Sequence, residues 1–156
     1  MVRLLKSQLA LAALITAAGL FLSSFSTAPA GGEGFEIYLD KKLVMQRFGN
    51  QLKSVQELKL DNASAQSELM IKYHHCGKVG KNRVLALKNE QNKTIREWRF
   101  ENNSQPVSPM TCKVREIINA GKASPKKLIL HYTSTEVPDG RTLATVSIGG
   151  AMAARK

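Results

Sequence analysis

The stretch Gly34-Phe35-Glu36-Ile37-Tyr38-Leu39-Asp40-Lys41-Lys42-Leu43-Val44 decides the fold class of this 156-residue chain. Apolar and polar side chains alternate from Phe35 to Asp40, which is the pattern of a strand with one buried face. Asp40-Lys41-Lys42 then predicts a tight turn into a second strand, which ends at Gly49-Asn50. The folded part of the chain is therefore predicted to begin with a β-hairpin.

Further along the chain, short strand-like segments alternate with clusters of turn-forming residues such as Pro138-Asp139-Gly140. The predicted strands are Val55 to Leu60, Leu69 to His75, Arg83 to Lys88, Thr94 to Phe100, Lys127 to Thr133 and Thr142 to Ile148. With the hairpin they give about eight short strands, which predicts an all-β fold, an antiparallel β-sandwich. Helical spacing of apolar residues, with a serine N-cap and a proline at the first position, predicts one short helix from Ser108 to Ala120 as a crossover between sheets.

The first thirty residues have the composition of a secretory signal peptide. Arg3 and Lys6 precede an apolar run, and Ala28-Pro29-Ala30 fits the small-residue pattern before a cleavage site. Cleavage is expected after Ala30, with Ser26 as the alternative position, and an uncleaved N-terminal anchor is the competing interpretation. The prediction is a signal peptide in residues 1–30, one domain in residues 31–149 and a flexible tail in residues 150–156. The protein would be exported to the periplasm or the exterior, with no transmembrane span after cleavage.

Composition limits the function classes. A hydrophobic content of 43% and only two cysteines indicate a globular domain and exclude both a multi-span membrane protein and a disulfide-dense miniprotein. The formal net charge of +11 favours an anionic partner. Export argues against nucleic acid and favours an acidic envelope polymer, a glycan or an acidic protein surface. The residues predicted to bind it are Lys78, Lys81, Arg83, Lys93, Arg96 and Arg99. An ordinary solvated face is the alternative.

Cys76 and Cys112 are the only thiols. In an oxidising compartment an even number of cysteines predicts pairing, here between the end of one strand and the start of the predicted helix. A bridge closing a loop of this length would stabilise the fold by about 4 kcal/mol.

A second hypothesis makes the protein an exported copper- or zinc-handling protein. Imidazole, thiolate and thioether groups are what soft and borderline metals select, so the candidate ligands are His74, Cys76, Met110 and Cys112. Strand alternation, however, places His74 and Cys76 on one face and His75 on the other. The sequence also contains no C-x-x-C or H-x-x-x-H spacing.

The sequence contains no motif that assigns catalysis. G-x-S-x-G, H-E-x-x-H and D-x-D-x-D-G patterns do not occur, and the loop from Gly77 to Asn82 lacks the spacing of a phosphate-binding loop. No cofactor is expected. A non-enzymatic binding protein is the leading hypothesis, while an enzyme of another type stays open because sandwich folds carry many chemistries on their loops.

The run from Gly34 to Val44, His75-Cys76-Gly77 and the strand around Leu130-His131-Tyr132 resemble segments of small exported all-β proteins of unknown function from Gram-negative bacteria. The resemblance would cover most of the mature chain. It implies a periplasmic or secreted sandwich and no particular catalytic residue.

Overall fold

The computed structural model describes residues 32–122 and 127–149, so the predicted signal peptide and the predicted tail lie outside the described residues. Over these ranges the chain forms nine strands and one α-helix. They are β1 (Glu33–Leu39), β2 (Lys42–Phe48), β3 (Gln56–Asp61), β4 (Glu68–His75), β5 (Arg83–Lys88), β6 (Thr94–Phe100), β7 (Met110–Lys113), α1 (Val114–Lys122), β8 (Leu128–Ser134) and β9 (Val137–Gly149). The predicted all-β class is confirmed. Within those ranges no helix is both long enough and apolar enough to cross a membrane.

β1 and β2 form the predicted hairpin. Asp40 and Lys41 make its turn with φ angles of 47° and 68°, a left-handed pair that matches the right-handed twist of the flanking strands. Gly34 lies directly under the ring of Phe48, and a Cβ at this position would come within 2.1 Å of the Phe48 ring. The ring can therefore cover β1 only because residue 34 is glycine.

The strands form two sheets, one with the order β2-β1-β4-β7 and the other with the order β3-β9-β8-β5-β6. All neighbouring pairs are antiparallel except β3 and β9, which run parallel. The prediction of an antiparallel sandwich is therefore correct for every pair but this one. Parallel pairing needs a long connection between the two strands, and here residues 62–136 lie between them.

The segment predicted as one helix from Ser108 to Ala120 is a strand followed by a helix. Met110–Lys113 alternates between buried and exposed side chains and pairs with β4. The helix begins only at Val114, so the predicted serine cap and first-turn proline are wrong. Gly121 lies within the helix and packs closely against β9, since a Cβ there would lie 2.2 Å from the Ile148 side chain. In this segment a spacing of two between apolar residues, typical of a strand, overlaps with a spacing of three to four, typical of a helix. Pairing with β4 makes the first part a strand.

The turn between β8 and β9 also differs from the prediction. The chain reverses at residues 135–136, and Pro138-Asp139-Gly140 lies within β9. The pairing between the two strands is irregular here, and Gly140 has a φ of +71°. A Cβ at Gly140 would meet the His131 ring at 2.1 Å, so glycine is required for both conformation and space.

The core lies between the two sheets. Inward residues of β1, β4 and β7 pack against inward residues of β5, β8 and β9, and the largest fully buried side chains come from both sides. Where the sheets meet at one end, the rings of Tyr73 and Tyr132 stack with centroids 4.3 Å apart. The hydroxyl groups of this pair contact Glu33 and His75 at the same end of the sandwich.

Candidate functional site

A polar cleft of about 400 Å³ opens at one end of the sandwich, where β1 begins, β4 ends and β8 turns into β9. Its lining combines charges of both signs with one thiol and one imidazole. The groups that carry this chemistry are Glu33, His75, Cys76, Lys78, Glu136, Asp139 and Arg141.

Glu33, Tyr73 and Arg141 join the two sheets at the base of the cleft. Arg141 donates to Glu33 Oε1 from Nε and Nη2 at 3.1 and 2.9 Å, and its Nε also donates to the Tyr73 hydroxyl at 3.1 Å. Tyr73 in turn donates to Glu33. Burial and this hydrogen bond raise the pKa of Tyr73 above its usual range, so the phenol stays protonated. Because Glu33 and Arg141 neutralise each other, these residues leave little net charge for a ligand. Their main role is to connect the two sheets.

His75 lies behind this group on β4 and is only 6% exposed. Its Nε2 is 3.0 Å from the hydroxyl of Tyr132, whose pKa burial raises to about 12. Its Nδ1 is buried and has no hydrogen-bond partner. Burial is the main cause that lowers the pKa of His75, so the imidazole is neutral at pH 7. Gly80 makes room for this ring, because a Cβ there would lie 2.4 Å from His75 Nε2.

The loop between β4 and β5 forms the upper wall and is held at both ends. Lys78 N–H donates to the His75 carbonyl at 3.1 Å, and Lys81 N–H donates to Glu136 Oε2 at 2.8 Å. Thr135 N–H donates to the Lys81 carbonyl at 2.9 Å. Although desolvation would raise the pKa of Glu136, its hydrogen bonds lower it on balance, so the carboxylate is ionised at neutral pH. The loop therefore presents its two lysines from a fixed backbone.

No protein-family model matches this chain, and no curated protein sequence is similar to it at a significant level.

The structure divides the six predicted basic residues into three groups. Arg83 is buried, and its two terminal nitrogens donate to the carbonyls of Ser108 and Glu101 at 2.9 Å each, which removes it from the predicted binding surface. Arg96 and Arg99 are ion-paired with Glu116 and Glu97 at 3.3 and 2.6 Å. The third group consists of Lys78, Lys81 and Lys93. Among the residues described, no carboxylate lies within 4 Å of their ammonium groups.

These three lysines do not form one patch. Lys78 and Lys81 precede β5 beside the cleft, whereas Lys93 lies in the turn at the far end of β5. The length of β5 separates the two positions by about 20 Å at the usual rise of a strand. Of the six predicted residues, only Lys78 and Lys81 therefore remain together, on one loop beside the cleft.

The predicted disulfide is wrong, because Cys76 and Cys112 are both free. Cys112 lies opposite Leu69 near the start of β4, while Cys76 follows the last residue of that strand. Their Cα atoms are therefore about 20 Å apart at the usual strand rise, far beyond the ~7 Å that a disulfide can span. Cys76 is exposed, whereas Cys112 is buried and its pKa is raised to about 12 by desolvation and by the charge of Glu116.

The predicted metal ligands are not brought together either. Met110 and Cys112 point into the core, and Cys76 lies at the other end of β4. His74 faces outward, where its ring meets Phe48 edge-on at 5.2 Å and its Nε2 is 3.8 Å from Glu36. Across residues 32–122 and 127–149, no three His, Cys, Asp or Glu side chains are grouped so that they could hold a metal ion.

Sequence reasoning missed most of the cleft. Glu33, Tyr73, Tyr132, Glu136 and Arg141 come from four strands and a turn that are far apart in the chain. The one available signal was alternation, which places Tyr73 and His75 on the same inward face of β4. A tyrosine and a histidine on a buried face require polar partners, and this requirement predicts a buried polar cluster without naming its other members.

Proposed function

We propose that this chain is an exported, non-enzymatic binding protein of the cell envelope that engages an anionic partner at the end of the sandwich. Lys78 and Lys81 are the contact residues. The observation that carries the proposal is that both lysines lack an ion-pair partner in the described part of the chain, although the loop that bears them is anchored.

Anchoring matters because a preorganised loop loses little conformational entropy on binding. The Lys81 backbone is held from both sides by Glu136 and Thr135, and Asn82 N–H donates to Asn102 Oδ1 at 2.7 Å. The ammonium groups are thus free while their backbone is fixed. The overall excess of positive charge adds long-range attraction for an acidic polymer or glycan.

The competing hypothesis of copper or zinc handling has no comparable support. Its four ligands lie on opposite faces and ends of the same sheet, so one ion cannot contact them together. Binding of an anionic partner is therefore the function to test.

The test compares binding of a soluble sulfated polysaccharide by the wild type, the double variant Lys78→Glu/Lys81→Glu and the matched control Lys93→Glu. Exposed ion pairs are worth up to about 1 kcal/mol each, so the double reversal should weaken binding at low salt by about tenfold or more. The control, reversed at the far end of β5, should bind within about twofold of the wild type. Equal weakening in both variants would show that general charge and not this loop drives the binding.

A further inference from the structure

We propose that the cleft is a modification site at which Cys76 forms a mixed disulfide with a small zwitterionic disulfide of the amino-acid type. The inference goes beyond the proposed function, because it requires a thiol and not the polyanion contacts of Lys81.

Cys76 is the first residue after β4 and is exposed in the cleft wall. Its φ of 54° is left-handed, a conformation that few residues other than glycine adopt, and it is followed by Gly77 with a φ of 82°. The hydrogen bond from Lys78 N–H to the His75 carbonyl closes this turn. The backbone at Cys76 is therefore held in place and the thiol is exposed, unlike that of Cys112, which is buried in the core.

His75 supplies an independent sign of a ligand. More than nine-tenths of this residue is buried, it contributes to the cleft lining, and its Nδ1 has no hydrogen-bond partner. Buried polar atoms almost always have a partner in a native protein. Because Nε2 is hydrogen-bonded to Tyr132, Nδ1 is the ring nitrogen to which a bound polar molecule would form a hydrogen bond.

The charges of the cleft indicate which molecule fits. Glu33 and Arg141 are paired with each other, and Glu136 accepts the Lys81 N–H, which leaves Lys78 as the free cation and Asp139 as the free side-chain anion of the lining. A ligand that carries both a carboxylate and an ammonium group can satisfy both signs. A volume of about 400 Å³ suits a molecule of amino-acid size.

The reaction is thiol–disulfide exchange. The Cys76 thiol loses its proton to solvent, and the thiolate attacks one sulfur of the small disulfide. A new bond forms between Cys76 Sγ and that sulfur while the original S–S bond breaks. The other half leaves as a thiolate and takes up a proton, so the protein thiol is oxidised and one half of the disulfide is reduced.

The test incubates the native full-length protein separately with L-cystine, cystamine and dithiodiglycolate, which are zwitterionic, cationic and anionic disulfides. Intact mass and peptide mapping follow the adducts, and each rate is divided by the rate of the same protein unfolded in urea. The normalised rate with L-cystine should exceed the other two by about fivefold, the strength of two exposed ion pairs, with the adduct on Cys76 alone.

Two variants and a control complete the experiment. Lys78→Gln and Asp139→Asn should each reduce the preference for L-cystine, whereas Lys93→Gln should leave it unchanged. Equal normalised rates for the three probes, or an adduct on Cys112 at a comparable rate, would overturn the proposal. Cys76→Ser should leave polysaccharide binding intact and Lys81→Glu should leave the adduct intact, so failure of this inference is distinguishable from failure of the proposed function.

Discussion

The folded state should lose stability as the pH falls below about 6.5, because His75 stays neutral in it. Burial lowers the pKa of this imidazole, and the charges acting on it partly cancel, since Glu136 and Glu33 raise the value while Arg83 and His74 lower it. In the unfolded chain the imidazole titrates at its ordinary pKa. Below that pH the unfolded state binds a proton that the folded state does not, so acidification favours unfolding.

The size of the effect follows from proton counting. One histidine whose pKa is lowered on folding changes the free energy of unfolding by up to about 1.4 kcal/mol per pH unit, between its unfolded pKa and its lower folded pKa. His131 contributes in the same direction, because burial and the nearby Lys88 lower its pKa as well. Together the two histidines give a slope of up to about 2.7 kcal/mol per pH unit. Asp40 and Glu116, whose pKa values are also lowered, lose their contribution only at more acidic pH, near the ordinary carboxyl range.

Urea unfolding at intervals from pH 5 to pH 8 measures this slope for the wild type, His75→Gln and His131→Gln. Each variant should unfold with a smaller slope than the wild type, whatever its absolute stability. If His75→Gln unfolds with the full wild-type slope, then His75 is protonated in the folded state and the description of a buried neutral imidazole is wrong.

Three further predictions concern the same end of the sandwich. Gly80→Ala should destabilise the protein by about 1–3 kcal/mol in urea unfolding, because the new methyl group overlaps the His75 ring; an unchanged midpoint would contradict this packing. Arg83→Met should cost about 2–4 kcal/mol by calorimetry, since the buried Ser108 carbonyl and the partly buried Glu101 carbonyl lose charged donors, and a loss under about 0.5 kcal/mol would show that Arg83 is solvated. Titration with a chromogenic disulfide should find one fast thiol, Cys76, in the native protein and a second, Cys112, only after unfolding; a native protein without reactive thiols would contradict the separation of the two.

Much of the fold follows from local patterns in the sequence. β5 and β6 have the predicted limits, and the first hairpin forms with Asp40 and Lys41 in its turn. Alternation is a local property, so it is visible without knowing which strands pair. The prediction of a helix from Met110 to Lys113 is wrong because it used the local pattern alone. Pairing with β4, which a local pattern does not show, makes this segment a strand.

The site could be predicted only in part. Lys78 and Lys81 are exposed to solvent. Arg83 cannot be distinguished from them in the sequence, but in the structure it is buried and donates to two carbonyls of the loop between β6 and β7. The Glu33–Arg141 pair joins the first and last strands, and no local signal connects them. Charge content can therefore be read from a sequence, while the distinction between a free charge and a partnered one depends on tertiary contacts.

The most direct test of the binding account is the map of backbone amide shifts when ¹⁵N-labelled protein is titrated with the sulfated polysaccharide. We predict that the largest shifts fall on residues 76–82 and on the turn at residues 135–136, with small shifts in the turn at residues 89–93. Shifts spread evenly over the lysines of both ends, or concentrated around Lys93, would contradict the assignment of the binding site to this end of the sandwich.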